Sequence, residues 1–463
     1  MSACNHAALV LEPTIHAREV GYSRPSQTER AAATTSQGTL KSSGKPKPGT
    51  SQISPRLSDP ATFPAALLLP GDDLAQDPKY PPQSRRAWTR GKDRNKVTPE
   101  RNVIYIAAPP KLDFQKDEIK RWTRPRDVLG VEATSASEPD IGAIVSYVAA
   151  FYHGIPVKKL KDTLKFTKWD KSVARSKGST SLRSPNYIGL NTSSECTRIR
   201  VRATPEGDFS HQLNLSDILD AAIYCLPSDA YAIFLLVDHD LFEDDDDLFV
   251  CGRAYGGSRV AVISTARYRP ELDLIQEVER EHAWPASHCE TYLQRCCEEI
   301  PKPTQTKSTS VQKGDKSRPI SICSSDEEME TSISPIRAAV SAHQSSASLI
   351  NSPTSETLSG LWLGRVCRTV SHELGHCFGI DHCVYYACVM QGSSSIIEDA
   401  RQPPYLCPVD LSKVLEATGV NRQEHYQAML AFCDQYHSIH LFAAYGAWLR
   451  VQLAEVHPQD SGS

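Results

Sequence analysis

The sequence predicts a fold of mixed α and β structure, α/β (α+β), in which helices pack on a mixed, twisted sheet. Three observations predict it. Apolar runs typical of strands alternate with amphipathic helical stretches between residues 103 and 264, and a continuous apolar run over 231–237 is typical of a central strand. Helical periodicity then returns at Leu361. This order of elements favours one layered domain of about 290 residues.

The elements of the first half follow from local patterns. A strand is predicted over 103–108 because an apolar run there is closed by two prolines. A helix is predicted to begin at Ser137, whose hydroxyl can cap it, and to end at Gly154. The remaining predicted elements are a strand over 157–166, a strand over 196–203, a helix over 215–225, the central strand over 231–237 and a strand over 259–264.

The second half is predicted to be helical. A helix over 411–417 is ended by Gly419. Residues 421–424 form a capping box, with Asn421 and Glu424 at its ends, that opens a helix reaching residue 435. A last helix is predicted over 439–456. We expect these helices to cover the lower face of the region that carries the chemistry.

Composition indicates that part of the chain lies outside this domain. Only 40% of the 463 residues are hydrophobic and 7% are aromatic, and the 31 prolines outnumber the 24 glycines. Polar segments of this kind bury too little apolar surface to offset the entropy of ordering them. We therefore expect a disordered N-terminal region over 1–99, a domain over 100–445 that is interrupted by a disordered insertion over 302–357, and a C-terminal extension over 446–463.

Charge and hydropathy exclude several partners. The 51 basic and 55 acidic residues give a net charge of -4, which predicts neither a nucleic-acid surface nor an anionic-membrane surface. No run approaches the ~18 apolar residues of a membrane helix, and residues 1–20 lack the pattern of a secretory signal. We expect a protein of the cytoplasm, the nucleus or both. Clustered members of the 14 cysteines are then expected to be metal ligands.

One constellation decides the chemistry. His372 and His376 are four residues apart on a predicted helix, so both imidazoles can bind the same metal ion. Gly379 permits the left-handed turn that ends the helix, after which His382 can supply a third ligand and leave a fourth position open. Three neutral imidazoles leave the full charge on a zinc ion, which lowers the pKa of a bound water toward ~7. Glu373 lies beside the first ligand, where it can accept the proton of that water as general base.

The same run carries a family resemblance. Residues 372–382, followed by Cys383, Cys388, Met390 and Cys407, resemble the archaemetzincins, zinc metalloproteases of the metzincin clan. The resemblance is tight over 361–413 and looser over 141–264. It implies a metzincin-like catalytic domain with an active-site helix and a C-terminal subdomain that bears a second, cysteine-rich zinc site. It also implies that Met390 is the Met-turn residue, which packs its thioether beneath the three histidines.

The second zinc site matches the family at three positions only. Cys383, Cys388 and Cys407 correspond in order, but Asp410 stands where a fourth cysteine is expected. A carboxylate can bind zinc, so a Cys3Asp site is chemically sound. Two alternatives stay open. Asp410 can instead cap the helix that follows, and Cys367 or Cys377 can supply the missing thiolate.

Other candidates carry weaker expectations. Asp238 and Asp240 are expected to be turn residues at a strand end, and Glu398 to be solvated or in a salt bridge. Aliphatic, serine and acidic residues over 320–328, from Ile320 to Glu328, could add as an edge strand to a small ubiquitin-like partner. Four further residues lack convincing metal spacing, namely His282, His288, Cys296 and Cys297.

The sequence therefore predicts a zinc-dependent peptidase that hydrolyses peptide bonds in a peptide or protein substrate, with Glu373 as general base. Two zinc ions are expected, one catalytic and one structural. The alternative is a zinc-binding regulatory or peptide-binding protein whose protease site is idle. The intact Glu373 favours the enzyme, because a binding module needs no general base.

Overall fold

The computed structural model describes residues 4–40, 59–92, 94–113, 119–126, 136–169, 186–193, 195–298, 333–346, 349 and 351–454. Among these residues lie thirteen α-helices and eleven strands. The helices are α1 (Ile15–Glu19), α2 (Gln27–Ala33), α3 (Asp73–Gln76), α4 (Arg85–Arg90), α5 (Ile141–Phe151), α6 (Leu215–Tyr224), α7 (Glu290–Glu298), α8 (Pro335–Gln344), α9 (Ser355–Cys377), α10 (Ile396–Arg401), α11 (Pro408–Thr418), α12 (Arg422–Gln435) and α13 (His440–Ala454).

The strands form two mixed sheets, which confirms the predicted α/β class with a mixed sheet. They are β1 (Val103–Ala107), β2 (Lys111–Leu112), β3 (Val157–Lys159), β4 (Lys165–Lys168), β5 (Tyr187–Asn191), β6 (Cys196–Ala203), β7 (His211–Asn214), β8 (Ala230–Val237), β9 (Asp240–Phe242), β10 (Gly252–Tyr255) and β11 (Val260–Ser264). The first sheet has the order β10-β11-β8-β1-β3, and the second has the order β2-β4-β5-β6-β7-β9.

Strand β8 is the centre of the first sheet. It pairs in parallel with β1 and with β11, and all eight of its residues are buried. Because successive strand residues point to opposite faces, Phe234 packs into one core with α5 and α9, while Leu235 packs into another with α6 and the second sheet. In this sheet only β10 runs antiparallel to its neighbour, and it forms the outer edge.

The N-terminal region differs from the disorder expected over 1–99. Residues 62–69 are buried, and Phe63 packs edge-on against Tyr405 and Trp448 of the domain. The indole N–H of Trp88 donates to the carbonyl of Phe378 at 2.8 Å. This apolar segment is short and lies between polar stretches, so the composition of the region as a whole does not reveal it. Its burial offsets the entropy cost of ordering it.

The insertion and the C-terminal extension also differ from expectation. Helix α8 lies inside the predicted insertion, and its residues Ile336 and Val340 are buried. Helix α13 packs on α8 and continues past 445, with Trp448 and Leu449 buried. The predicted partner segment at 320–328 lies outside the described residues.

Several predicted element bounds are wrong, including the start of the helix expected over 411–417, which is α11 and begins at Pro408. The helix expected to begin at Ser137 is α5, which Asp140 caps by accepting the N–H of Ala143 at 2.7 Å. The single strand expected over 157–166 is instead β3 and β4, which belong to different sheets. Every helix in the described ranges is too short or too polar to span a bilayer.

Candidate metal centres

Helix α9 presents the first two histidines. The helix is capped by Thr354 and is buried along most of its length. His372 and His376 lie on one of its faces, with their Nε2 atoms 3.0 Å apart. This spacing brings two potential ligand atoms to one point, as the interval of four residues predicts.

The end of α9 delivers the third histidine. Gly379 has φ of 73°, and its N–H bonds the carbonyl of His376 at 2.9 Å while the N–H of Ile380 bonds the carbonyl of Gly375 at 3.1 Å. This pair of bonds is a Schellman motif, which turns the chain back. The ring of His382 then lies 5.3 Å from that of His372 and 5.0 Å from that of His376, centre to centre. One ligand atom from each histidine lies within 4.8 Å of the other two.

Backbone carbonyls orient two of the rings. Nδ1 of His372 is 2.7 Å from the carbonyl oxygen of Val389, and Nδ1 of His376 is 2.7 Å from that of Ile380. A proton on each Nδ1 leaves each Nε2 free as a ligand. Burial lowers the pKa of His372, His376 and His382, that of His376 to about 4, so the rings are neutral, as metal ligands must be.

The N-terminal segment completes the surroundings of His382. A carboxylate oxygen of Asp73 lies 3.9 Å from Nδ1 of His382, and the ring of Tyr80 lies 5.9 Å from its ring. Neither residue was predicted to belong to the site, because their segment was expected to be disordered. The apolar stretch over 62–69 was the signal that this segment packs on the domain.

A cavity of about 890 Å³ opens over the three histidines. Glu373 lines it together with Tyr80, Trp88 and Arg253. The Glu373 side chain lies beside Gly252 of the edge strand β10. Burial raises the pKa of Glu373 to about 8, and the nearby charge of Arg253 opposes this shift.

Met390 lies beneath the helix that carries the histidines. It is fully buried, and its thioether lies so close to Gly375 that a Cβ at this position would clash with it. A glycine is therefore required at residue 375, between His372 and His376 on the helix, because Met390 packs so closely there. The resemblance implies that Met390 is the Met-turn residue. In the structure Met390 contacts the helix at Gly375, between His372 and His376.

A second cluster lies behind the first and is closed to solvent. The Sγ atoms of Cys383 and Cys407 are 3.6 Å apart, and one carboxylate oxygen of Asp410 lies 3.5 Å from Sγ of Cys388 and 3.4 Å from Sγ of Cys407. Each of the four residues is at most 4% exposed. Cys407 is the N-cap residue of α11, and Asp410 lies within the helix, so the interpretation of Asp410 as a cap is wrong. Cys367 and Cys377 lie on α9, apart from this group.

Charge in this cluster is partly balanced by Lys413. Its ammonium group, only 1% exposed, donates to the other oxygen of Asp410 at 2.8 Å. Burial raises the pKa of Asp410 to about 7, and Lys413 opposes the shift. Burial also opposes ionisation of Cys383, but hydrogen bonds with Cys388 and Cys407 outweigh it and lower the Cys383 pKa. The cluster therefore already favours one thiolate.

The weaker candidates have structural roles. Glu398 is 2% exposed and accepts the backbone N–H groups of Asp73 and Ser394 at 2.9 and 2.8 Å, so the expectation of a solvated or salt-bridged residue is wrong. Asp240 belongs to β9 and pairs with the buried Arg267 at 2.7 Å. Asp238 accepts the hydroxyl of Thr265 at 3.0 Å.

One dismissed residue does join a cluster. His282 lies with Cys4, His6 and Cys289, and one ligand atom from each falls within 4.8 Å of the others. Two of its partners, Cys4 and His6, lie more than 270 positions earlier in the chain, where local spacing cannot reveal them. His288, Cys296 and Cys297 stay outside this group.

Parts of this chain are similar in sequence to known proteins. Residues 344–415 match the model of peptidase family M54. Archaemetzincin-2 of Macaca fascicularis is 24% identical over 371 residues, which span 80% of this chain and 74% of that protein. Archaemetzincin-2 of Homo sapiens is 42% identical over 77 residues, which span 17% of this chain and 21% of that protein.

A solved structure also resembles this chain. The crystal structure of archaemetzincin from Methanopyrus kandleri shares 16% sequence identity and covers 69% of this chain and 98% of its own, with a TM-score of 0.30. The match to the family model spans the segment that holds the histidines and the cysteine cluster.

Proposed function

We propose that the chain is an archaemetzincin-like zinc metallopeptidase that hydrolyses peptide bonds with Glu373 as general base. One observation carries the proposal. The Glu373 carboxylate lines the same cavity as the three imidazoles whose ligand atoms converge. A general base must lie beside the water that it deprotonates, and this position is beside the converging ring nitrogens.

The residues present fit a catalytic zinc ion. His372, His376 and His382 offer three neutral nitrogen donors on one side of an open cavity, which is the ligand set of a zinc site with a free position. Zinc bound there supplies a Lewis acid that polarises a carbonyl and acidifies water. The two carbonyls behind the rings hold the imidazoles in the orientation that such binding needs.

Glu373 is suited to move the proton. Its carboxylate makes no hydrogen bond with any other described residue, so it is free to accept a proton from an attacking water. It can then donate that proton to the leaving amine. Arg253, which also lines the cavity, is the nearby positive charge that favours the ionised carboxylate.

The substrate is a peptide or protein segment in an extended conformation. Strand β10 forms the outer edge of the first sheet and lines the cavity beside Glu373. The free hydrogen-bonding groups of an edge strand can pair with an added peptide strand. Such pairing would hold the scissile carbonyl beside Glu373 without selecting particular side chains.

A structural zinc ion at the cysteine cluster is part of the same proposal. Cys383, Cys388, Cys407 and Asp410 form a closed, buried set of three sulfur donors and one oxygen donor. A set without an open position suits a structural ion. The ion would hold the loop after His382 against α11, and so would fix the third histidine.

The test compares purified wild type with Glu373→Gln on a peptide library. The amide keeps the size of the side chain but cannot accept the proton, so we expect cleavage to fall by about 10²–10⁴-fold. Zinc content, measured on the same samples, should be equal because Glu373 is not a ligand. Equal cleavage by both proteins would contradict the mechanism. Absence of cleavage by zinc-loaded wild type would favour the idle-site alternative.

A further inference from the structure

A third cluster of ligand-type side chains lies away from both centres. It joins Cys4 and His6, near the N-terminus, to His282 and Cys289 in the middle of the chain. The Sγ atoms of Cys4 and Cys289 are 3.5 Å apart, and the rings of His6 and His282 lie 5.3 Å apart at an angle of 85°. Tetrahedral zinc with bonds of about 2.0–2.3 Å separates its ligand atoms by about 3.3–3.8 Å. The separation of the two Sγ atoms already falls in this range, and the four ligand atoms lie within 4.8 Å of one another.

The cluster contains buried polar atoms that lack partners. His6 is 3% exposed, and neither of its ring nitrogens has a hydrogen-bond partner among the described residues. The same holds for Nε2 of His282, which is 6% exposed. A buried nitrogen without a partner is costly, typically about 1–3 kcal/mol. Binding of a cation at this point would give one of these nitrogens on each ring a partner.

A carboxylate orients one of the rings. Nδ1 of His282 lies 3.0 Å from a carboxylate oxygen of Glu279, so a proton on Nδ1 leaves Nε2 free as a ligand. This carboxylate–histidine arrangement is the usual support of a zinc-bound imidazole. Burial lowers the pKa of His6, which keeps that ring neutral.

We propose that Cys4, His6, His282 and Cys289 form a third zinc site, structural and of the Cys2His2 type. Two thiolates neutralise the charge of the ion, and two imidazoles complete four-coordination without an open position. Three of the four residues are buried, and Cys4 is partly exposed. Like the cysteine cluster, the site offers four ligands and leaves no position open, and it uses none of that cluster's residues.

The ion would hold residues 4–10 against the rest of the domain. Backbone bonds join this segment to the chain around Cys289, from Glu290 to Ala8 at 3.0 Å and from Val10 to His288 at 2.8 Å. From α8, Arg337 donates to the carbonyl of His6 at 3.2 Å. Three parts of the chain therefore meet at this site, namely residues 4–10, the loop before α7 and helix α8. Without the ion, these hydrogen bonds and the apolar packing of Val10 hold the first residues in place.

The experiment counts zinc ions per chain by native mass spectrometry in the full-length protein. We expect His6→Ala and Cys289→Ala each to carry one zinc ion fewer than wild type. Cys296→Ala, which removes a neighbouring thiol outside the cluster, is the control and should keep the wild-type number. Equal zinc in wild type, His6→Ala and Cys289→Ala would overturn the proposal.

A measurement on wild type covers the case in which the variants do not fold. Thiol alkylation mapped residue by residue should show Cys4 and Cys289 protected in the native protein and reactive after a chelator removes zinc. Cys196 is exposed and should react under both conditions. Reaction of Cys4 in the native protein, or a mass two units lower that reports a Cys4–Cys289 disulfide, would contradict a zinc site.

Discussion

The histidine cluster and the cysteine cluster lie side by side on one stretch of chain but differ in access. His382 is one third exposed and faces a large cavity, whereas Cys388 and Cys407 are wholly buried. The first cluster has three ligand atoms and space for a substrate, and the second has four ligand atoms and none. The number of ligands and the space around them, more than the metal, separate a centre for chemistry from a centre for structure.

The two clusters are also physically connected. Gln83 donates from its amide to the carbonyl of Gly379 at 3.0 Å and to Asp381 at 2.9 Å, beside the histidines. Its amide oxygen accepts from Lys413 at 2.8 Å, beside the cysteines. A residue of the N-terminal segment thus links the loop that carries His382 to the charge that balances Asp410.

The largest effect on stability is expected at the closed cluster. Asp410→Ala leaves the buried ammonium of Lys413 without its carboxylate, so the free energy of unfolding should fall by about 3–5 kcal/mol. Denaturant unfolding measures this loss. The double variant Asp410→Ala/Lys413→Met removes the stranded charge, yet it should still carry one zinc ion fewer than wild type. Full recovery of both stability and zinc content would reduce Asp410 to an ion-pair partner.

A smaller effect is expected at the open cluster. Asp73 lies 3.9 Å from Nδ1 of His382 and can orient that ring. We expect Asp73→Asn to lower peptide cleavage by about 10–100-fold, the usual cost of losing an outer partner of a metal ligand. Steady-state rates measure the change. Asp77→Asn alters an exposed neighbouring acid and should cleave like wild type; if the two variants behave alike, Asp73 has no orienting role.

The smallest effect concerns acid sensitivity away from both clusters. Burial lowers the pKa of His425 to about 4, below the ordinary value of 6.5. The unfolded chain therefore binds more protons between these two values, and stability is lost as pH falls through that window. At one pH unit below 6.5 the loss is about 1.4 kcal/mol. We expect His425→Phe, unfolded with a chelator present, to show a shallower pH dependence than wild type. An unchanged slope would assign the acid sensitivity to other groups.

Locally encoded features could be predicted from the sequence. The interval between His372 and His376, the left-handed turn at Gly379 and the capping box of α12 depend on residues a few positions apart, and the structure has all three. The same holds for β6, whose alternating pattern gave both of its ends. In these cases the periodicity of the backbone translates directly into residue spacing.

Features that depend on distant pairing could not be predicted. Cys4 meets Cys289 across 285 positions, and Asp73 meets His382 across 309. Strands β7 and β9 have only four and three residues, too few to show a period. The burial of Phe63 depends on the ring of Trp448, which no local pattern reveals.

One measurement tests most directly whether the open cluster serves chemistry and the closed cluster serves structure. It compares the rates of peptide cleavage by two variants, His376→Ala and Cys388→Ala. The rates are compared at a temperature well below both unfolding transitions. We predict that His376→Ala unfolds near the wild-type temperature but does not cleave, whereas Cys388→Ala unfolds earlier and still cleaves while folded. Cleavage by His376→Ala, or a folded Cys388→Ala as inactive as His376→Ala, would contradict this division of roles.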